Sequence, residues 1–113
     1  MTAMSDPFTT GAAFLLAEAR LVERRLFATC FRGAPATGVV DALRGYQNDN
    51  GGFGHGLEPD KRCPDSLPID VEIALQACAA AGAADPEMLG RACGYLSRVA
   101  TPDGAVPLAF PVI

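Results

Sequence analysis

Tyr46-Gln47-Asn48-Asp49-Asn50-Gly51-Gly52-Phe53-Gly54-His55-Gly56 joins two helix-like segments and carries the only histidine of the chain. Glycine reaches positive φ freely, and Asn and Asp tolerate it, so Asn-Asp-Asn-Gly-Gly reads as a turn. An apolar Phe53 inside such a turn implies that the turn is packed against something. The spacing Gln-x3-Gly-x-aromatic, from Gln47 through Gly51 to Phe53, returns in degraded form further along the chain.

Upstream of this turn, Thr37 is placed to cap a helix that buries Val39, Val40, Leu43, Tyr46 and Gln47. Before it, one long helix is expected from Thr9 or Thr10 to about Phe31. Leu15, Ala19, Val22, Leu26 and Cys30 recur there at helical spacing. Gly33-Ala34-Pro35 ends that helix, and residues 1–8 read as a loose leader.

Downstream, residues 57–64 read as a loop, because Pro59 and Pro64 exclude regular helix nearby. Asp65 or Ser66 is expected to start a third helix, with Pro68 in its first turn and Val71, Ala74, Leu75, Cys78 and Ala81 on its apolar side. Gly82 is a natural C-cap. Asp85-Pro86-Glu87 combines a cap, a proline at the first helical position and an acid in the first turn. The fourth helix then carries Leu89, Ala92, Cys93, Leu96, Val99 and Ala100, until Thr101-Pro102-Asp103-Gly104 breaks it. No segment alternates with period two for long enough to make a strand. The expected fold class is all-α.

Composition narrows the function. The 113 residues suit one domain, half of them hydrophobic but only 7% aromatic, so a helical core with small contacts is expected. The net charge is -4, and the nine Lys and Arg residues do not gather in one stripe, which argues against nucleic acid as a partner. Cys30, Cys63, Cys78 and Cys93 stand far apart without a C-x2-C pair, and read as reduced thiols. Neither a signal peptide nor a membrane span of about 20 apolar residues is visible. A soluble, cytoplasmic protein is expected.

The chain also repeats. Shifted by 53 residues, Leu43 falls on Leu96, Tyr46 on Val99, Asn50 on Asp103, Gly51 on Gly104 and Phe53 on Val106. Each copy is a helix, a turn with glycine at one place, and an apolar residue two positions later. A period of roughly 40–50 residues built from two helices marks stacked helical hairpins, and about three or more are generally needed for stability. The expected division is residues 9–56 for the first hairpin and its turn, 57–64 for the loop, and 65–107 for the second hairpin and its turn. An apolar tail follows at 108–113. With two copies, either further repeats in a longer chain or self-association through unpaired repeat faces is expected.

These residues resemble the terpene cyclase and protein prenyltransferase superfamily over roughly residues 36–107. Its repeats read basic, small, x2, aromatic, aliphatic, x3, Gln, a short spacer, Gly, x, Trp. The first copy supplies Leu43, Gln47, Gly51 and Phe53, with Ala42 where the aromatic belongs. The second supplies Arg91-Ala92, Tyr95-Leu96 and Gly104, with Ala100 for Gln and Val106 for Trp. Gly51-Gly52-Phe53-Gly54-His55-Gly56 running on to Ala74-Leu75 is also similar to a segment of prenyltransferase β subunits. The resemblance implies part of an α/α toroid around an apolar cavity, of the squalene-hopene cyclase kind, and an isoprenoid or other apolar small molecule as ligand. The motif residues Gln47, Gly51, Phe53, Gly104 and Val106 are expected to stack hairpins rather than react.

Chemistry, if present, would come from the loop and the start of the third helix. Asp60, Asp65 and Asp70 are the candidate acids, since a buried carboxylic acid can be held protonated and donate a proton. His55, Glu58, Arg62 and Glu72 are candidates for the mouth of the cavity. The plainer reading is that the acids complement a helix dipole and pair with Lys61 and Arg62 on a wet loop. His55, Asp60, Cys63 and Asp65 fit no standard zinc spacing, and no metal, Mg²⁺ or other cofactor is expected. The Asp-x-Asp-Asp run of protonating cyclases is represented only by Asp70-Val71-Glu72, and no Asp-Asp-x-x-Asp is present. Cys63 beside Lys61 and Arg62 is reactive only if exposed. The alternatives to a cyclase- or prenyltransferase-like protein are a non-catalytic helical-repeat module that binds a protein or peptide, and an inactive fragment of a longer toroid enzyme.

Overall fold

The computed structural model describes residues 6–83 and 85–107. These residues form five helices: α1 (Pro7–Glu18), α2 (Leu21–Arg32), α3 (Thr37–Arg44), α4 (Pro68–Ala81) and α5 (Pro86–Val99). The one β feature among them is a single antiparallel bridge between Gln47 and Phe53.

The long first helix is a correction. It begins earlier, at Pro7, with Asp6 as cap: Thr9 N–H donates to Asp6 Oδ1 at 2.7 Å. It then breaks at Ala19 and Arg20, whose backbones are extended at ψ 159° and 164°. No glycine or proline lies there, so local propensity does not make the break; a tertiary contact does. Arg20 Nη1 donates to Gly56 O at 2.9 Å and Nη2 to Leu57 O at 3.1 Å, and a continuous helix would have to give up that reach. The face assigned to this segment changes too. Val22 and Phe27 are its buried members in α2, and Cys30 is exposed.

α1 buries only Ala12, leaving Phe8, Phe14 and Leu16 50%, 65% and 53% exposed. Phe8 packs on Phe27 and Phe31, with ring centroids 5.8 and 5.7 Å away.

The core forms where α2, α3, α4 and α5 meet the glycine-rich turn. Val39, Leu43, Phe53, Leu57, Val71, Ala74, Met88 and Ala92 are each at most 2% exposed. α4 starts at Pro68, later than Asp65 or Ser66, because Ser66 Oγ is taken up by Asn48 and Asn50 and is not available as a cap. α5 is capped by Asp85, which accepts from Glu87 N–H at 3.1 Å and also binds Arg44 Nη2 of α3 at 2.7 Å. Met88, Ala92 and Tyr95 line its inner face, a rotation from the set centred on Leu89 and Cys93, and Cys93 is exposed.

Two turns 53 positions apart share one hydrogen-bond register. Gly51 N–H donates to Asn48 O at 2.9 Å and Gly104 N–H to Thr101 O at 2.8 Å. Asn48 N–H donates to Gly52 O at 2.8 Å and Thr101 N–H to Ala105 O at 2.7 Å. Both glycines sit at φ 89°. The apolar residues after them part company: Phe53 is 1% exposed and Val106 is 40% exposed. Phe53 is covered by the chain that runs on from it, with Leu67 N–H donating to its carbonyl at 3.0 Å. The tail expected at 108–113 lies outside the described residues.

Candidate functional site

The glycine-rich turn is built for close approach. A Cβ on Gly51 would meet Arg91 O at 2.2 Å, one on Gly52 would meet Ser66 Cβ at 2.6 Å, and one on Gly54 would meet Asp65 O at 2.3 Å. The backbone therefore lies directly against α5 on one side and residues 64–66 on the other. Side chains only then complete the joint. Gln47 Nε2 donates to Gly51 O at 3.0 Å and to Met88 O at 3.1 Å, while its Oε1 accepts from Arg91 Nη1 at 3.2 Å. Arg91 Nη2 donates to Asn48 O at 2.9 Å, and Arg98 Nη2 donates to Asn50 O. Arg98 thus satisfies the Asn50 carbonyl that the turn leaves unpaired, and Arg91 adds a second donor to the Asn48 carbonyl already bonded by Gly51 N–H.

The amides form a second layer. Asn48 Nδ2 donates to Pro64 O at 3.0 Å and Ser66 Oγ at 2.9 Å, which leaves its Oδ1 to face His55 Nε2 at 2.8 Å. Ser66 Oγ donates to Asn50 Oδ1 at 2.8 Å, and Tyr95 Oη donates to Ser66 O at 3.0 Å. Asn48 and Ser66 carry much of this joint, and their polar side chains in a turn and before a helix gave no stronger signal than ordinary turn and cap residues do.

The three candidate acids do not meet. Asp60 and Asp65 are exposed, and Asp70 is fully buried. Asp70 Oδ1 accepts from Glu58 N–H at 2.7 Å, and Oδ2 is buried without a partner among the described residues. Burial raises the Asp70 carboxyl above its ordinary value and outweighs the Glu58 N–H, which pulls the other way; the Glu58 carboxylate adds to the rise. Burial also raises the Tyr95 phenol, and the Asp70 charge adds to it. Among the described residues no ion pair joins the loop acids to Lys61 or Arg62; the three pairs present are Arg20–Glu23, Arg44–Asp41 and Arg44–Asp85.

Glu58 is half-buried and its Oε2 accepts from Asp60 N–H at 3.0 Å. His55, Arg62 and Glu72 are exposed; Glu72 pairs with Gln76 at 3.4 Å within α4. Cys63 is 6% exposed, its thiol toward Asp65 O at 3.8 Å. No three His, Cys, Asp or Glu side chains among the described residues converge as a metal site would require.

A groove of about 290 Å³ runs between α2 and α4, walled by Val22, Leu26, Leu57, Ile73, Ala77 and Ala80 together with Arg20, Glu23 and Gln76. Asp70 lies outside that lining, although Leu57 connects the groove to the loop that Asp70 holds. No described helix is long and apolar enough to cross a membrane. Comparison with protein-family models, with curated proteins and with solved structures returns no match.

Proposed function

We propose that this chain is a cytoplasmic helical-hairpin module of the α/α-toroid kind that binds an apolar small molecule, with isoprenoids as the class that the resemblance to terpene cyclases and prenyltransferases implies. The observation that supports it is the groove between α2 and α4, six of whose walls are aliphatic and whose volume of about 290 Å³ is near the lower end of small-molecule sites. Asp70, the one of the three acids held away from water, lies outside the groove lining, so its part in any turnover would run through the loop it pins.

The test is displacement of a neutral fluorescent apolar probe by an isoprenoid alcohol. Ala77→Phe, which fills the groove, should abolish saturable probe binding while the helical signal is kept. Equal binding by the variant and the parent would remove the groove from the reading. Turnover of a prenyl substrate, measured for the parent and Asp70→Asn, separates an enzyme from a binder.

A second reading, a module that binds a protein or peptide, is favoured by the exposed Phe14, Leu16, Leu21 and Phe31 of α1 and α2. Phe14→Ser with Phe31→Ser should then abolish partner binding and leave the groove probe unaffected.

A further inference from the structure

A second pocket, of about 420 Å³, lies on the other side of Arg20 and differs in character from the groove. Its lining includes Arg20, Tyr46, His55, Arg62 and Cys63, and no carboxylate among the described residues. The chain as a whole carries a net charge of -4, so a pocket lined by two guanidiniums, an imidazole and a phenol runs against its general electrostatic character.

The donors are arranged unequally. Four of the five N–H groups of Arg20 are engaged by Glu23, Gly56 O and Leu57 O, and its guanidinium sits 5.8 Å from the Tyr46 ring centroid. Arg20 therefore holds the wall in place, and Glu23 balances its charge. Arg62 is different: Nε donates to Pro59 O at 3.2 Å, and its two Nη groups have no partner among the described residues. His55 uses Nε2 on Asn48 Oδ1, so Nδ1 is the ring atom left over.

His55 also carries an unusual backbone. It is the one non-glycine residue of the described chain at positive φ, 58°, between Gly54 and Gly56. Glycine would adopt that conformation without strain, so the backbone itself does not call for a side chain there. The turn is held nonetheless, by Asn48 on the imidazole and Arg20 on the Gly56 carbonyl. The Asn48 bond accounts for one ring nitrogen, and the other is left at the wall of the pocket.

We propose that Tyr46, His55 and Arg62, on a wall fixed by Arg20, form a binding site for the phosphate group of a small soluble molecule. The Arg62 fork, the Tyr46 hydroxyl and the leftover Arg20 N–H supply more donors than the two oxygens of a carboxylate use well, and they suit three oxygens on one phosphorus, while His55 Nδ1 is placed to accept from a phosphate O–H. The pocket is larger than a phosphate ion, which leaves room for the remainder of an ester. The site is separate from the apolar groove, with Arg20 as the one residue common to both linings. Either can fail without the other.

The experiment is a titration of the ¹⁵N-labelled chain with inorganic phosphate at constant ionic strength, with sodium chloride and sodium acetate as parallel arms. Saturable shifts at Arg62 Nε and at the His55 and Gly56 amides are expected with phosphate, and not with chloride. Arg62→Gln should weaken binding about tenfold, the loss expected for one charge-assisted pair. His55→Gly relieves the positive φ but gives up the Asn48 bond, so its amide spectrum should remain that of the folded chain while phosphate binding weakens, which separates recognition from folding. Absence of saturable shifts, undiminished binding in both variants, or acetate binding as tightly as phosphate overturns the proposal.

Discussion

The carboxylate of Asp70 caps the backbone N–H of Glu58 at 2.7 Å from a position with no exposure to solvent. One oxygen thereby pins the loop at 57–64 to the first turn of α4, and the other has no partner among the described residues. A bracket of this kind works best when the acid is uncharged, since the second oxygen has no donor to offset the loss of hydration.

This fixes a sign. Because the folded-state pKa of Asp70 is raised by burial, the folded chain binds its proton more tightly than the unfolded chain does. Its stabilising contribution is complete below the ordinary carboxylate value of 3.8 and is lost as pH rises through the folded-state value. Asp6 and Asp103, whose carboxyls are held low by hydrogen bonds from Thr9 and Thr101, work in the opposite direction. Urea unfolding of the parent and of Asp70→Asn, across the acid-to-neutral range, isolates the Asp70 share. The variant should gain stability relative to the parent as pH rises. A difference that does not change with pH would show that Asp70 has the same affinity for its proton folded and unfolded.

The two related turns predict unequal responses to one substitution. Gly51→Ala places a Cβ 2.2 Å from Arg91 O on a backbone at φ 89°, and should cost about 3–4 kcal/mol. Gly104→Ala has the same φ of 89° with nothing within 4 Å, so only conformational strain remains, about 1–2 kcal/mol. Urea midpoints of the two variants check this. Equal losses would mean that α5 does not lie against the first turn.

Arg20→Ala tests the break between α1 and α2. Removing the guanidinium frees the carbonyls of Gly56 and Leu57 and should cost about 1–3 kcal/mol, two hydrogen bonds to a half-exposed charge. Amide exchange should quicken across residues 55–64, and Ala19 and Arg20 should gain helical character once nothing holds them extended. Unchanged exchange in the loop would show that the break has another cause.

Much of the helical order was legible from local chemistry. Asp85-Pro86-Glu87 signals a helix start on three grounds at once, and Gly33 and Gly82 stop helices in the left-handed conformation that glycine accepts most easily. The first helix was not legible, because its division is caused by Arg20 reaching carbonyls more than thirty residues away. Periodicity reads neighbours three and four positions apart and has no access to such a contact. The acids show the same boundary. Asp60, Asp65 and Asp70 are equivalent by type and spacing, and only packing distinguishes the buried Asp70 from its two solvated neighbours. The apolar α1 was misleading in a different way: its composition fits a core helix, while its face carries Phe14 and Leu16 into solvent.

The second turn closes on itself, through bonds between Thr101 and Ala105 that span a few residues. The first closes through the same local bonds, and Gln47 then ties it to Met88 and Arg91, some forty positions downstream. Loop-closure entropy penalises the longer ring, so the clasp of Gln47 on α5 costs more to close than the local bonds that the two bends share.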